Sequence, residues 1–338
     1  MRVMTSRERV MATLTGKRPD RVLLNFFAGW NIAVREKVAA RYGSVDAFCD
    51  LMHTDIVTGV LPRFPFGGAE NHARIMDLEQ YLELTPDDPT APAMISTPCD
   101  QVLNLTVKDA LRYHEQGKAV FCHAWGVFEL SQFLYEHDGL PGTEMALLNM
   151  AAEPEKNRRM FLKLAAWTAD CVENAIKAGV DVIELSDDWG QQRTMMFSPK
   201  MWWDMIYPAM KIIFDRARRY NVPVLLHSDG DVTLVLDGIM QLGIAGLHPV
   251  QESSGMSPQH TREKLGPRYC IMGGLDTITA LPVMTPAEIR VEVERVFSIL
   301  KDSGPYIFSD SHMIQDDTDL DVVVAAYERA YELAEYSH

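Results

Sequence analysis

The chain contains no run of about 18 consecutive apolar residues, so no segment has the make-up of a membrane-spanning helix. It contains no Cys-x-x-Cys pair either. Its five cysteines, Cys49, Cys99, Cys122, Cys171 and Cys270, are odd in number and widely spaced. That argues against a disulfide framework or an all-cysteine zinc site and for reduced thiols in a cytosol. Positive charge is scarce, with 32 Lys and Arg against 47 Asp and Glu and a formal net charge of -15. Phosphate backbones are bound by basic stripes, so nucleic acid is not expected as a partner. The opening MRVMTSRERVMATL becomes charged too early for a signal peptide and lacks a small-residue cleavage site. Short repeats and low-complexity tracts are absent too. The expectation is a cytoplasmic protein, off the membrane, acting on a small molecule, with homodimerisation left open.

What is there is a chain of 338 residues, 47% hydrophobic and 23% charged, which suffices for one large core. Its second half alternates short apolar runs with longer helical patterns. The runs are VDVIEL (180–185), VPVLLH (222–227), AGLHPV (245–250), RYCIMGG (268–274) and YIFSDS (306–311). Earlier candidates are RVLLNFF (21–27), DIVTGVL (55–61) and AVFCHAW (119–125). Between them, Ser198 and Pro199 open one helix, and Thr285 with Glu288 forms a capping box for another. Strands this apolar have no wet face, so they belong to a parallel sheet covered by helices. Eight strands in βα alternation predict a single-domain α/β fold, a TIM (β/α)8 barrel. The stretch from about Pro62 to Lys118, rich in Pro, Gly and charge, reads as an excursion over one barrel end.

In such a barrel the chemistry gathers where strands end, and polar residues collect there. CHAWG carries His123, and SDDWGQQ carries Asp187, Asp188 and Gln191. HSDGD carries His227 and Asp229, HPVQE carries His248, GGLD carries Asp276, and SDSH carries His312. Each also has a plainer reading. Asp187 and Asp188 suit turns and caps, and because neighbours point apart, one of the two is expected to enter the pocket. His123 and His248 suit hydrogen-bonded core positions. Asp231 suits a helix cap. His227 and Asp229, two residues apart, share one side of an extended backbone. With His312 from the last strand they form an acceptable zinc set that leaves a position open for chemistry. Without a metal, the same three are proton-transfer groups.

Several segments together resemble the uroporphyrinogen decarboxylase superfamily, which includes corrinoid-dependent methyltransferases. They are SRERVMATLTGKRPDRVLLNF, GVFELSQFL with Glu129, DVIELSDDWGQQRTMMFSPKMWWDMIYPAMKIIF, LLHSDGDVTLVLDGIMQLGIAGLHPVQ, IMGGLDT and YIFSDSHMIQDDTDLDVVVAAYE. The resemblance implies one TIM barrel. Authentic decarboxylases of the family carry an arginine-rich RQAGRY after the first strand, where this chain reads FFAGWNIAVREK. The methyltransferase branch holds zinc with a His-x-Cys pair and a later cysteine. Here His227-Ser228-Asp229 stands at the pair, and Ser311 or His312 at the later position. A carboxylate is a harder ligand than a thiolate, which turns the site toward oxygen rather than sulfur substrates.

The resemblance therefore implies methyl transfer or O-demethylation of a small substrate, possible zinc, and methylcobalamin carried by a separate corrinoid protein. His227, Asp229, His312 and Asp187 are the expected catalytic residues, the first three also the metal ligands. Asp188, Gln191, His248, Asp276, His123 and Glu129 are expected to hold substrate. The alternatives are decarboxylation of a small aromatic or pyrrolic acid, with Asp187 or Asp188 stabilising a protonated ring, and a non-catalytic barrel that binds a corrinoid or other ligand.

Overall fold

The eight apolar runs are the eight strands: β1 (Leu23–Leu24), β2 (Ile56–Val60), β3 (Ala119–Trp125), β4 (Val182–Ser186), β5 (Val224–His227), β6 (Gly246–Val250), β7 (Cys270–Leu275) and β8 (Tyr306–Asp310). The structure, a computed structural model, describes residues 3–27, 30–62, 81–82, 105–135 and 142–336. All neighbouring strands run parallel, in the order β1-β8-β7-β6-β5-β4-β3-β2. A side chain bridges β1 and β2. Asp55 donates its amide to the Leu24 carbonyl (2.9 Å), and its Oδ2 accepts the Leu24 amide (3.0 Å). Arg9 Nη1 (2.6 Å) and Arg21 Nη1 (2.8 Å) neutralise this fully buried carboxylate, the pairing that a buried charge requires. The sheet thereby curls into the expected TIM barrel.

Helices follow β3 to β8 in turn, among them Val127–Tyr135, Pro154–Ala178, Tyr207–Arg218, Leu236–Leu242, Pro258–Leu265, Pro286–Leu300 and Leu320–Ala334. Thr285 and Glu288 form the capping box read from the sequence, and Ser198 caps the turn begun by Pro199. The expected helix from Pro199 is not regular: Trp202–Ile206 is a π turn. Pro208 lacks the N–H that would bond to the Asp204 carbonyl, and Arg158 Nε takes that oxygen instead (3.0 Å). Of the excursion expected over Pro62 to Lys118, residues 63–80 and 83–104 lie outside the described residues. Its last part forms two short helices, Leu105–Lys108 and Ala110–Glu115.

Strand alternation sorts side chains into those under the helices and those inside the barrel. The interior floor is apolar, packed from Leu23, Ile56, Phe121, Val182, Leu225, Met272 and Ile307. Above it the inward positions turn polar. His123 and Glu184 are register partners, and two residues further on so are Trp125 and Ser186, Ser186 and His227, and His227 and His248. The barrel is a filled core whose polar layer lies at the strand ends that host chemistry in this architecture.

Candidate metal centre at the barrel mouth

The loops after β4 and β5 press backbone against backbone. Gly190 N donates to Asp229 O (3.1 Å), and Asp231 N donates to Gln191 O (2.9 Å). A Cβ on Gly190 would lie 2.5 Å from Asp229 O, and one on Gly230, at φ +80°, would lie 2.3 Å from the Gly190 carbonyl carbon. Only glycine permits that approach. It delivers Asp188 beside Asp229, whose amide donates to Asp188 Oδ1 (2.8 Å).

Three ligand-type atoms converge there. His227 Nε2 lies 3.5 Å from Asp188 Oδ1 and 3.5 Å from Asp229 Oδ1. Asp188, His227 and Asp229 offer atoms all within 4.8 Å of one another. Asp229 Oδ1 is buried and has no hydrogen-bond partner among the described residues. His227 Nδ1 lies 2.6 Å from His248 Nδ1, and His248 Nε2 lies 2.9 Å from the Asp310 carbonyl oxygen. The Phe27 ring stacks on both imidazoles at 4.3 and 4.1 Å.

Burial governs the electrostatics. It holds His227 neutral, helped by His248, His312 and His123, and pushes His248 down to about 3. Burial and the neighbouring Asp188 push Asp229 up to about 8, and burial raises Asp188 as well. Glu129, whose Oε2 accepts from Ser186 Oγ (2.6 Å), is raised well above its ordinary value by burial and then by Asp188 and Asp187. No Lys or Arg among the described residues pairs with these carboxylates. A bound cation would reverse this preference for the neutral acids, and an imidazole with two carboxylate oxygens is a donor set that suits one. The residues present therefore fit a divalent metal.

The sequence-predicted residues fall into two groups. His227, Asp229, Asp188, His248 and Glu129 gather at the mouth. His312 stands at its rim, half exposed, with Nε2 3.4 Å from Asp229 Oδ2. In the three-atom cluster Asp188 takes the place expected of His312. Asp187, expected to be catalytic, is fully buried. Its Oδ1 accepts the Glu129 amide (2.8 Å) and its Oδ2 accepts Trp189 Nε1 (2.8 Å), so it anchors the start of the helix Val127–Tyr135. Burial still pushes its pKa up to about 7.

Asp276, expected to hold substrate, accepts the amides of Ile278, Thr279 and Ser253 at 2.8 to 3.0 Å. Burial alone would raise it, but these donors hold it below its ordinary value. Gln191 is exposed and joins the loop contact through its main chain. His123 Nδ1 pairs with Glu184 Oε2 (3.0 Å) one layer below His227. The expected cap at Asp231 is present, its Oδ1 accepting Thr233 N (2.9 Å). Ser186, Glu184 and Phe27 were not picked out from the sequence. The signal for Glu184 was there, a carboxylate inside the apolar VIELS.

A nearly closed parallel barrel with ionisable groups massed at its strand ends is the architecture of an enzyme-type α/β barrel. The family model described as uroporphyrinogen decarboxylase (URO-D) matches residues 74–333. The chain belongs to that family. It is 26% identical over 201 residues to a uroporphyrinogen decarboxylase of Myxococcus xanthus, covering 57% of this chain and 53% of that protein. It is 23% identical over 263 residues to one of Streptomyces coelicolor, covering 78% and 66% respectively. The match thus spans about half the length of the first of these relatives. A solved methyltransferase from Methanosarcina mazei shares the fold at a TM-score of 0.68 and 16% identity, covering 97% of this chain and 99% of that one.

Proposed function

We propose that this chain catalyses methyl transfer, or demethylation, of a small oxygen-bearing substrate at the barrel mouth, with a divalent cation held by Asp188, His227 and Asp229. The observation that carries the reading is the convergence of those three residues on one point, with Asp229 Oδ1 buried and unpartnered. Zinc accepts such a set with a coordination position to spare. A cation held there would supply Lewis acidity to a substrate oxygen. Two carboxylates in place of thiolates favour oxygen over sulfur at that position.

The chain's own groups manage the proton. In demethylation the methyl carbon–oxygen bond breaks, and the oxygen keeps the electron pair and takes up a proton. His312 stands at the rim beside Asp229, where a departing oxygen can be protonated. Glu129, kept neutral by burial and adjacent carboxylates, is a second donor at the same mouth. Phe27, stacked on His227 and His248, seals the apolar side of the imidazoles from water. In this reading the methyl acceptor is a corrinoid on a separate partner protein. The fold shared along its whole length with a protein named as a methyltransferase supports the assignment.

Ultraviolet–visible titration of corrinoid proteins with this chain and a panel of aryl methyl ethers tests it. A substrate-dependent change in the corrinoid spectrum is expected, and no change across the panel contradicts it. A second reading, decarboxylation of an aromatic or pyrrolic acid, has the names of the curated relatives in its favour. Metal-independent release of carbon dioxide, with no corrinoid response, would decide for it. Specific ligand binding without turnover would mark a non-catalytic barrel.

A further inference from the structure

The pair of buried histidines has a fixed hydrogen-bond polarity. The Asp310 main-chain oxygen 2.9 Å from His248 Nε2 can only accept, so that nitrogen carries the hydrogen. A neutral imidazole protonated at Nε2 presents a lone pair at Nδ1. His227 Nδ1 lies 2.6 Å from that lone pair, so the shared hydrogen belongs to His227. His227 is then left with its lone pair on Nε2, the nitrogen 3.5 Å from both Asp188 Oδ1 and Asp229 Oδ1. From this geometry we infer that His248 is a positioning residue that locks His227 into the Nδ1–H tautomer and aims its Nε2 lone pair at the cation. The inference rests on the reading above that His227 is a metal ligand.

The surroundings are built to hold this polarity. His227 and His248 are register partners on β5 and β6, so their Cα atoms cannot drift apart. The Phe27 ring lies nearly parallel to both, at 18° and 29°, and the two imidazoles lie 27° from each other. With Phe27 stacked on both imidazoles and the two joined at 2.6 Å through their Nδ1 atoms, turning either ring over would break that hydrogen bond. The Asp310 Oδ1 carboxylate oxygen accepts the Phe27 amide (2.9 Å), so the residue whose carbonyl orients His248 also fixes the clamp. Metal-bound histidines elsewhere donate their second N–H to an acceptor in this manner, and loss of the acceptor typically lowers metal affinity about 10- to 100-fold. A buried core histidine with no such role would leave affinity untouched.

Two variants and one spectrum separate these cases. His248→Phe keeps a packed ring but offers no acceptor, whereas His248→Asn places an amide oxygen within reach of His227 Nδ1. Zinc and cobalt(II) affinities of the full-length chain are measured by competition with a chromophoric chelator, with thermal melts confirming folding. His248→Phe is expected to bind about 10- to 100-fold more weakly, and His248→Asn to recover most of the loss. Equal affinities for wild type and His248→Phe would overturn the inference. Nitrogen-15 NMR of histidine-labelled, metal-free chain reads the tautomer directly. It should show His227 protonated at Nδ1 and bare at Nε2; protonation at Nε2 would overturn the inference even if the phenylalanine variant did not fold. A wild-type chain that binds no metal yet shows the Nδ1–H tautomer would refute the metal reading alone.

Discussion

Replacing His227 with alanine is expected to abolish binding of the proposed divalent cation and to lower kcat/KM at least about a thousand-fold, a loss of roughly 4 kcal/mol in transition-state stabilisation. The nitrogen deleted is the one that faces both carboxylates, and without it two acidic oxygens remain as the only members of the cluster. The neighbouring aspartates provide the control. Asp188→Asn removes a cluster charge and should weaken metal binding at least about tenfold. Asp187→Asn should leave metal affinity within about twofold, because both Asp187 oxygens are already engaged by Glu129 N and Trp189 Nε1; its cost falls on stability. Affinities of the three variants, with kcat and KM measured on any substrate found, check this. Equal loss at Asp187 and Asp188 would show that the cluster is not the seat of binding.

The metal-free chain is expected to lose stability as pH rises from 6.5 to 9, and binding of the proposed cation is expected to restore it. Burial lifts Asp187 and Asp310 to about 7 and, with help from Asp188, lifts Asp229 to about 8, from an ordinary value of 3.8. Each of these carboxyls holds its proton more tightly folded than unfolded. Their contribution is complete below 3.8 and disappears as pH climbs through 7 to 8. His227 and His248, held neutral by burial, act in the opposite direction. Their effect fades as the unfolded histidines, half neutral near pH 6.5, lose their remaining protons by about pH 7.5. From 6.5 to 9 the carboxyls act, joined near pH 9 by the thiols of Cys49, Cys122, Cys171 and Cys270, which burial likewise keeps protonated, and a melting temperature lower by on the order of 5 °C is expected across the interval. Metal keeps Asp229 ionised and binds better as protons leave, so the zinc-induced rise in melting temperature should grow over the same interval. A metal-free melting temperature that rises toward pH 9 would contradict the assignment.

The barrel was legible because each strand is a short apolar run bounded by turn residues, from RVLLNFF to YIFSDS. The mouth was legible in part, because strand ends were where His227, Asp188, Asp229 and His248 stood. The choice between Asp187 and Asp188 turned on parity. Ser186 is register partner to His227 and shares its inward side, so alternation sends Asp187 outward to the helix and returns Asp188 to the mouth. Asp276 stands at a strand end as expected, and there three backbone amides converge on its carboxylate, a role that the sequence pattern does not distinguish from substrate binding. The contact of His248 with the Asp310 carbonyl joins residues 62 positions apart, and no local pattern announces a main-chain acceptor at that distance. The approach of Asp188 to Asp229 depends on Gly190 meeting Gly230 across two loops, which sequence spacing leaves unspecified.

Anomalous diffraction from crystals of the full-length chain equilibrated with zinc is the most direct test of the cation centre. One peak per chain among Asp188 Oδ1, His227 Nε2 and Asp229 Oδ1, at about 2.0–2.2 Å from each, is the predicted result. A chain that retains less than about a tenth of an equivalent of metal after loading with zinc, cobalt(II) and manganese(II), or a peak elsewhere with these three side chains unmoved, would contradict it.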